Sequence, residues 1–178
     1  MSAQPCDRPT RRLGFGALVG DDIVVTAGHT VEGDLRSLTV DGEAAELVIL
    51  DRRLDLAVLS VDVDADALDL STEAAVDGRL LAADGAVSID IVKTAPLVVH
   101  DATDRQRYER IVHTIAPGVA GGTSGAPVVD DAGRVLGIVV LDDRRRDVAY
   151  AVAATEITAL LERVGGGSED VARPGACA

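Results

Sequence analysis

With 178 residues, 47% of them apolar, the chain can build one ordinary domain or two small, closely packed subdomains. Aromatic residues make up only 2% (Phe15, Tyr108 and Tyr150, with no Trp), so Val, Leu, Ile and Ala must fill the interior, a bias that favours strands. A net charge of −13, from 30 acidic and 17 basic residues, would repel phosphate backbones and anionic lipid heads, which argues against nucleic-acid and membrane partners.

Residues 1–12 are polar and read as a flexible N-terminal arm without the features of a signal peptide. No segment approaches the length of a bilayer span. As written the chain reads as cytoplasmic; a true start lying upstream would make it secreted or periplasmic. Phe15 to Val19, a Gly20-Asp21-Asp22 turn and Ile23 to Thr26 read as a hairpin. Short apolar runs follow at Ser37 to Val40, Ala45 to Leu50 and Leu56 to Val61. The stretch from Asp62 to Gly78 alternates acidic and small residues and reads as a linker between two halves.

The second half repeats the style, with runs at Arg79 to Ala82, Ala86 to Val92, Leu97 to His100 and Arg110 to Ile115. Then come Ala126 to Val129, a turn at Asp130 to Gly133, Arg134 to Leu141 and Val148 to Val152. Ile157, Leu160, Leu161 and Val164 recur at helical spacing, so a helix is expected over 154–164, with Thr155 as N-cap and Gly165 as its stop. Residues 165–178 are Gly-rich and polar and read as a disordered tail. Many short, evenly spaced strands ending in one helix point to an all-β fold of two small barrels. Cys6 and Cys177 read as two unpaired thiols on mobile tails, or as one staple if the fold joins the ends; neither spacing suggests a metal site.

Three segments carry chemistry. In Val25-Thr26-Ala27-Gly28-His29-Thr30 a histidine follows a strand end among small residues, with rigid support on one side and open space on the other. In Leu54-Asp55-Leu56-Ala57-Val58-Leu59 a carboxylate stands at the mouth of an apolar run, where it needs a partner, and a histidine N–H is a good one. In Gly121-Gly122-Thr123-Ser124-Gly125-Ala126-Pro127 a serine lies between glycines that open backbone conformations closed to other residues. There the N–H groups of Gly122 and Ser124 can aim at one point, as an oxyanion hole requires.

Together the segments resemble the trypsin-like (chymotrypsin-fold) serine peptidases, over about residues 14–161. The order His, Asp, Ser is that family's order. Thr26-Ala27-Gly28-His29, Asp55-Leu56-Ala57-Val58-Leu59 and Gly122-Thr123-Ser124-Gly125-Ala126-Pro127 are similar to its three motifs, and Gly14-Phe15-Gly16 to its usual lead-in. The short interval between His29 and Asp55 is closest to the compact bacterial type that includes HtrA/Deg protease domains, here without a PDZ domain.

The resemblance implies two six-stranded antiparallel β-barrels, at about 13–65 and 78–152, and a C-terminal helix, within one peptidase domain over 13–164. It implies a serine endopeptidase acting on a peptide or protein substrate through an acyl-enzyme, without a cofactor or metal. Ser124 would be the nucleophile, His29 the general base and Asp55 the residue that orients it. The primary pocket would be lined by Gly118, Val119, Ala120 and Gly121, with Val139 and Val140 opposite, and would suit small or medium apolar side chains. Thr123 replaces the aspartate that pairs with a newly cut N-terminus in zymogen-activated members, so no activation cleavage is expected. No serine near Ile138 to Leu141 is available to brace Asp55, so other donors must orient it. The alternative is a catalytically inactive relative that binds a peptide or partner. His113 is expected to be a buried structural histidine rather than a reader of acidic side chains, His100 carries no functional expectation, and Arg144-Arg145-Arg146 reads as a solvated hairpin tip.

Overall fold

The computed structural model describes residues 1–7, 9–100, 107–165 and 177. The first half contains β1 (Ser2–Pro5), β2 (Arg12–Leu13), β3 (Ala17–Gly20), β4 (Ile23–Ala27), a single 3-10 turn at Gly28–Thr30, β5 (Leu35–Val40), β6 (Glu43–Ala44), β7 (Glu46–Asp51) and β8 (Leu56–Ser60). The second contains β9 (Asp77–Ala82), β10 (Gly85–His100), β11 (Arg107–Ala116), β12 (Pro127–Val129), β13 (Val135–Asp143), β14 (Val148–Ala153) and α1 (Ala154–Gly165). The molecule is all-β with one C-terminal helix.

In the first lobe β4 and β8 are apolar at every position but Thr26 and Ser60, because both of their faces are covered. Successive side chains of a strand point to opposite faces, and here the two sets enter different cores. Val24, Ala57 and Leu59 join Ala3, Val31, Leu38, Val40 and Leu50 inside the lobe. Val25, Ala27, Leu56 and Val58 point the other way, into a core shared with Val112, Ile138, Val140 and Val152 of the second lobe and Ile157 and Leu160 of α1. That shared core places the ends of β4 and β8, where His29 and Asp55 sit, against the second lobe.

The second lobe is a closed six-stranded barrel in the order β10-β11-β14-β13-β12-β9. The first lobe is built differently from the expected closed six-stranded barrel. It has two four-stranded sheets, β2-β1-β5-β6 and β3-β4-β8-β7. The last of the chain's three crossings between these sheets, from β6 to β7, takes the single residue Ala45, whose N–H donates to Leu38 O at 3.0 Å, a corner that leaves β6 and β7 in separate ladders.

At the chain ends the structure corrects one expectation and selects between the two readings left open for the cysteines. The N-terminal arm contains a strand: β1 pairs antiparallel with both β2 and β5, and the Met1 amine donates to Gly14 O at 2.8 Å. Its residues are mostly polar, but Ala3 is fully buried and the backbone ladder supplies the remaining attachment. Cys6 and Cys177 form a disulfide, with their Cα atoms 5.6 Å apart. The pairing of β1 with β5 fixes Cys6 close to the lobe, and its N–H donates to Asp34 O at 3.0 Å, so this thiol is not on a mobile tail. Apart from Gly165 and Cys177, the expected disordered tail lies outside the described residues.

Candidate active site

His29 follows β4 directly, in the 3-10 turn. The turn is fixed by Thr30, whose hydroxyl donates to Ala27 O at 2.5 Å, and by the Gly28 N–H, which donates to Asp55 O at 2.8 Å. Gly28 fits closely here: a Cβ would stand 3.0 Å from both the Asp55 carbonyl carbon and Leu50 Cδ1, tighter than ordinary contact. The backbone thus brings the two motifs together before any side chain does.

Both carboxylate oxygens of Asp55 are held by His29. Oδ1 accepts from the His29 backbone N–H at 2.7 Å, and Oδ2 lies 2.9 Å from Nδ1. An ionised carboxylate can only accept, so Nδ1 carries the proton and Nε2 is left with its lone pair. Nε2 lies 2.9 Å from Ser124 Oγ, in position to accept the hydroxyl proton. The donors that orient Asp55, which the absence of a nearby serine left open, therefore include the histidine's own main chain.

The turn carrying Asp55 is tied down from several sides. Asp55 has φ +56°, a left-handed conformation that Asp tolerates better than most residues. Asp51 Oδ1 accepts from the N–H groups of Arg53 (2.9 Å) and Leu54 (3.0 Å), and Arg163 of α1 donates to Asp51 Oδ2 at 2.5 Å. From β11, buried Arg110 donates through Nη1 to Leu54 O at 2.6 Å. Burial pushes the Arg110 guanidinium below its ordinary range, and the charge of Asp55 opposes that shift. Arg110, Asp51 and Arg163 were not singled out from sequence. A lone arginine at the head of the apolar-rich run Arg110 to Ile115 is the signal that could have marked Arg110.

The Ser124 loop is held by the opposite lobe. Phe15 N–H donates to Ser124 O at 2.9 Å, and Thr26 Oγ1 donates to Phe15 O at 2.6 Å. Gly125 (φ +86°) passes so close that a Cβ would stand 2.1 Å from Phe15 O. Its N–H donates to Val139 O at 2.8 Å, Ala126 N–H donates to Thr123 O at 2.9 Å, and the Thr123 hydroxyl donates to Ala120 O at 2.9 Å. Gly122 has φ +95°. Among the described residues nothing accepts from the N–H groups of Gly122 or Ser124.

The expected pocket residues divide. Gly118 is pinned by its N–H to Asp147 O at 2.9 Å, and Val119 packs partly on the barrel core. Ala120 and Gly121 lie at the exposed surface, and the Arg144 guanidinium passes over Gly121, with Nη2 2.7 Å from where a Cβ would stand. Arg144 Nε pairs with Asp142 Oδ2 at 3.1 Å. Val139 and Val140 are buried in the barrel core and the shared core respectively, so their side chains are not presented to an open wall; Leu141, 45% exposed, is the next side chain along that strand. His113 is buried, with Nδ1 2.7 Å from Thr94 Oγ1 and Nε2 donating to Leu136 O at 3.1 Å. Burial lowers its pKa and the bond to Leu136 O opposes the shift, so the neutral ring acts as an internal tie. Among the described residues no cluster of His, Cys, Asp and Glu is arranged to hold a metal ion.

A serine hydroxyl against a histidine whose other nitrogen meets a carboxylate, between two β-rich lobes, is the arrangement that the two-lobed β serine peptidases share. The model of the trypsin-like peptidase domain matches residues 14–138, and the chain belongs to that family. The serine protease Rv3671c of Mycobacterium tuberculosis is 27% identical over 168 residues, which cover 85% of this chain and 42% of that protein. The chain thus spans less than half the length of the curated relative it matches. In fold it is similar to the crystal structure of the active form of the M. tuberculosis Rv3671c protease, with a TM-score of 0.81 at 24% identity over 99% of this chain and 83% of that one. It is also similar to the HtrA-type protease AlgW with decapeptide, with a TM-score of 0.64 at 20% identity over 86% of this chain and 52% of that one.

Proposed function

We propose that the chain is a serine endopeptidase that cleaves peptide or protein substrates with Ser124, His29 and Asp55 as its catalytic triad. The observation that carries the reading is the unbroken hydrogen-bonded series from Ser124 Oγ through His29 to Asp55, at 2.9 Å on each side of the imidazole. Ser124 Oγ attacks the scissile carbonyl while His29 Nε2 takes its proton. Asp55 holds the tautomer that exposes the Nε2 lone pair and stabilises the imidazolium that forms. The negative charge on the tetrahedral intermediate is met by the N–H groups of Gly122 and Ser124, for which no acceptor lies among the described residues. His29 then protonates the leaving amine, and water hydrolyses the acyl-enzyme by the same steps in reverse roles.

The ordering of the serine loop supports activity without an activating cleavage. Thr123, where zymogen-activated relatives carry an aspartate, is tied to Ala120 O, and the loop is braced by Phe15 and Val139 from within the domain. The expected preference is for small or medium apolar side chains, in a pocket narrowed by Arg144 over Gly121.

A fluorophosphonate probe and a peptide-library cleavage profile test the reading together. Wild-type protein should be labelled at Ser124 and should cut peptides, and Ser124→Ala or His29→Ala should lose about 10⁴-fold or more in kcat. Folded wild-type protein that is neither labelled nor active would leave a peptide-binding relative as the answer.

A further inference from the structure

Arg110 is a cation in an expensive place. It projects from the middle of β11, in the second lobe, and only 5% of its surface is exposed. A buried guanidinium is strongly destabilising unless charge and hydrogen bonds compensate it. Among the described residues no carboxylate lies within ion-pair distance of Arg110, and Nε has no acceptor. Among the described residues its hydrogen bond is to Leu54 O, at 2.6 Å, and Leu54 is the residue immediately before Asp55. The carboxylate whose charge it feels is Asp55 itself. Nothing else about this position calls for a cation: Val112, two residues on, is an ordinary member of the shared core.

The surroundings make Arg110 a stiff support rather than a loose one. The next N–H in β11, that of Ile111, donates to Glu156 Oε1 of α1 at 2.9 Å, so the helix fixes the strand where Arg110 leaves it. The same helix, through Arg163, holds Asp51, which caps the N–H groups of Arg53 and Leu54. Leu54 is therefore held at both of its backbone polar groups: Asp51 accepts from its N–H and Arg110 donates to its carbonyl. That carbonyl belongs to the peptide bond whose N–H is Asp55's own, so its direction sets the strained φ of +56° at Asp55. A rotation of this peptide would swing the Asp55 carboxylate away from both His29 donors.

We infer that Arg110 is a positioning residue for the active site, a buried cation of the second lobe that fixes the Leu54–Asp55 peptide and so aims the Asp55 carboxylate at His29. It does the work that a serine hydroxyl near Ile138 to Leu141 would otherwise do, from a different strand and through the main chain. Arg110 touches neither substrate nor the reacting atoms. The inference rests on the triad reading for its effect on rate, but its structural part stands apart from catalysis.

The test uses Arg110→Met, Arg110→Gln and Arg110→Lys in the full chain, each checked for a cooperative thermal transition. Two readouts are taken: the downfield proton resonance of His29 Nδ1–H in its bond to Asp55, and kcat and KM on a peptide substrate. In folded R110M the resonance should move upfield or broaden, and kcat should fall about 10- to 100-fold, the scale of a misplaced catalytic group, while KM stays within about twofold. R110K, which keeps the charge and one donor, should retain the resonance and stay within about fivefold of wild-type kcat, a rescue in line with the strength of charge-assisted bonds. If R110M does not fold, R110Q against R110K is read in the same way. Folded neutral variants with the wild-type resonance and kcat would overturn the inference. So would a failure of every neutral variant to fold, which would make Arg110 a tie for the fold alone. An inactive wild type whose resonance still responds to R110M would sink the peptidase reading and leave the positioning role standing.

Discussion

Gly125→Ala puts the packing of the serine loop to a direct test. The residue has φ +86°, which costs an L-residue with a Cβ about 1–2 kcal/mol. The new Cβ would stand 2.1 Å from Phe15 O and 2.6 Å from Thr26 Oγ1, so the Phe15 peptide must retreat by about an ångström or more to reach ordinary contact. That movement breaks the bond from Phe15 N–H to Ser124 O and strains the one from Thr26 Oγ1 to Phe15 O, each worth about 1 kcal/mol. The whole penalty is then about 3–4 kcal/mol, or roughly 6–16 °C in Tm for a domain of this size. Displacing Ser124 by a similar distance should also lower kcat by about 100-fold. Gly133→Ala is the control: its φ is +81°, but nothing lies within 4 Å of the added carbon. It should cost only the backbone strain, about 1–2 kcal/mol, with kcat unchanged. The two are compared by thermal unfolding and by peptide hydrolysis. Equal losses in the two variants would refute the argument from contact, because then only the shared backbone conformation would matter.

Asp51→Ala removes the acceptor of two turn N–H groups and of Arg163, and should destabilise by about 2–4 kcal/mol in urea titration while also lowering kcat. His113 is held neutral, its folded pKa below the ordinary 6.5, so the unfolded chain takes up a proton that the folded chain refuses. Its contribution to stability is therefore present above pH 6.5 and is lost as pH falls below it. Thermal unfolding across that range should show a steeper acid-side decline in wild type than in His113→Gln. Reduction of the Cys6–Cys177 bridge should cost about 2–5 kcal/mol, seen as a lower Tm with reductant that Cys177→Ser reproduces without it.

What was legible in the sequence was local. Ser124 between Gly122 and Gly125, His29 after an apolar strand and Asp55 before one are each written within a few residues, and their order supplied the family. The helix was legible because Ile157, Leu160 and Val164 repeat at its period. What was not legible depends on residues far apart. Arg110 meets Leu54 across 56 positions and Arg163 meets Asp51 across 112, and nothing in either neighbourhood names its partner. The β1 strand was hidden because its attachment is mainly backbone ladder and one alanine, neither of which leaves an apolar pattern. Which of the two cysteine readings holds was not legible either, since a separation of 171 residues carries no information on whether the ends meet until β1 is placed. Val139 and Val140 were expected at a pocket wall, but a strand between two cores turns one side chain into each.

The bridge between Cys6 and Cys177 makes the backbone between them a covalent ring. A ring survives one cut. Backbone cleavage at an exposed turn, such as Asp41-Gly42 or Asp84-Gly85, opens the ring to a line but releases no fragment, and the pieces on either side stay tethered at high effective concentration. For the peptidase activity proposed above, which would expose the chain to cleavage by other copies of itself, this separates being nicked from being lost. On a denaturing gel a singly cut molecule should travel as one species until reductant is added, and then as two.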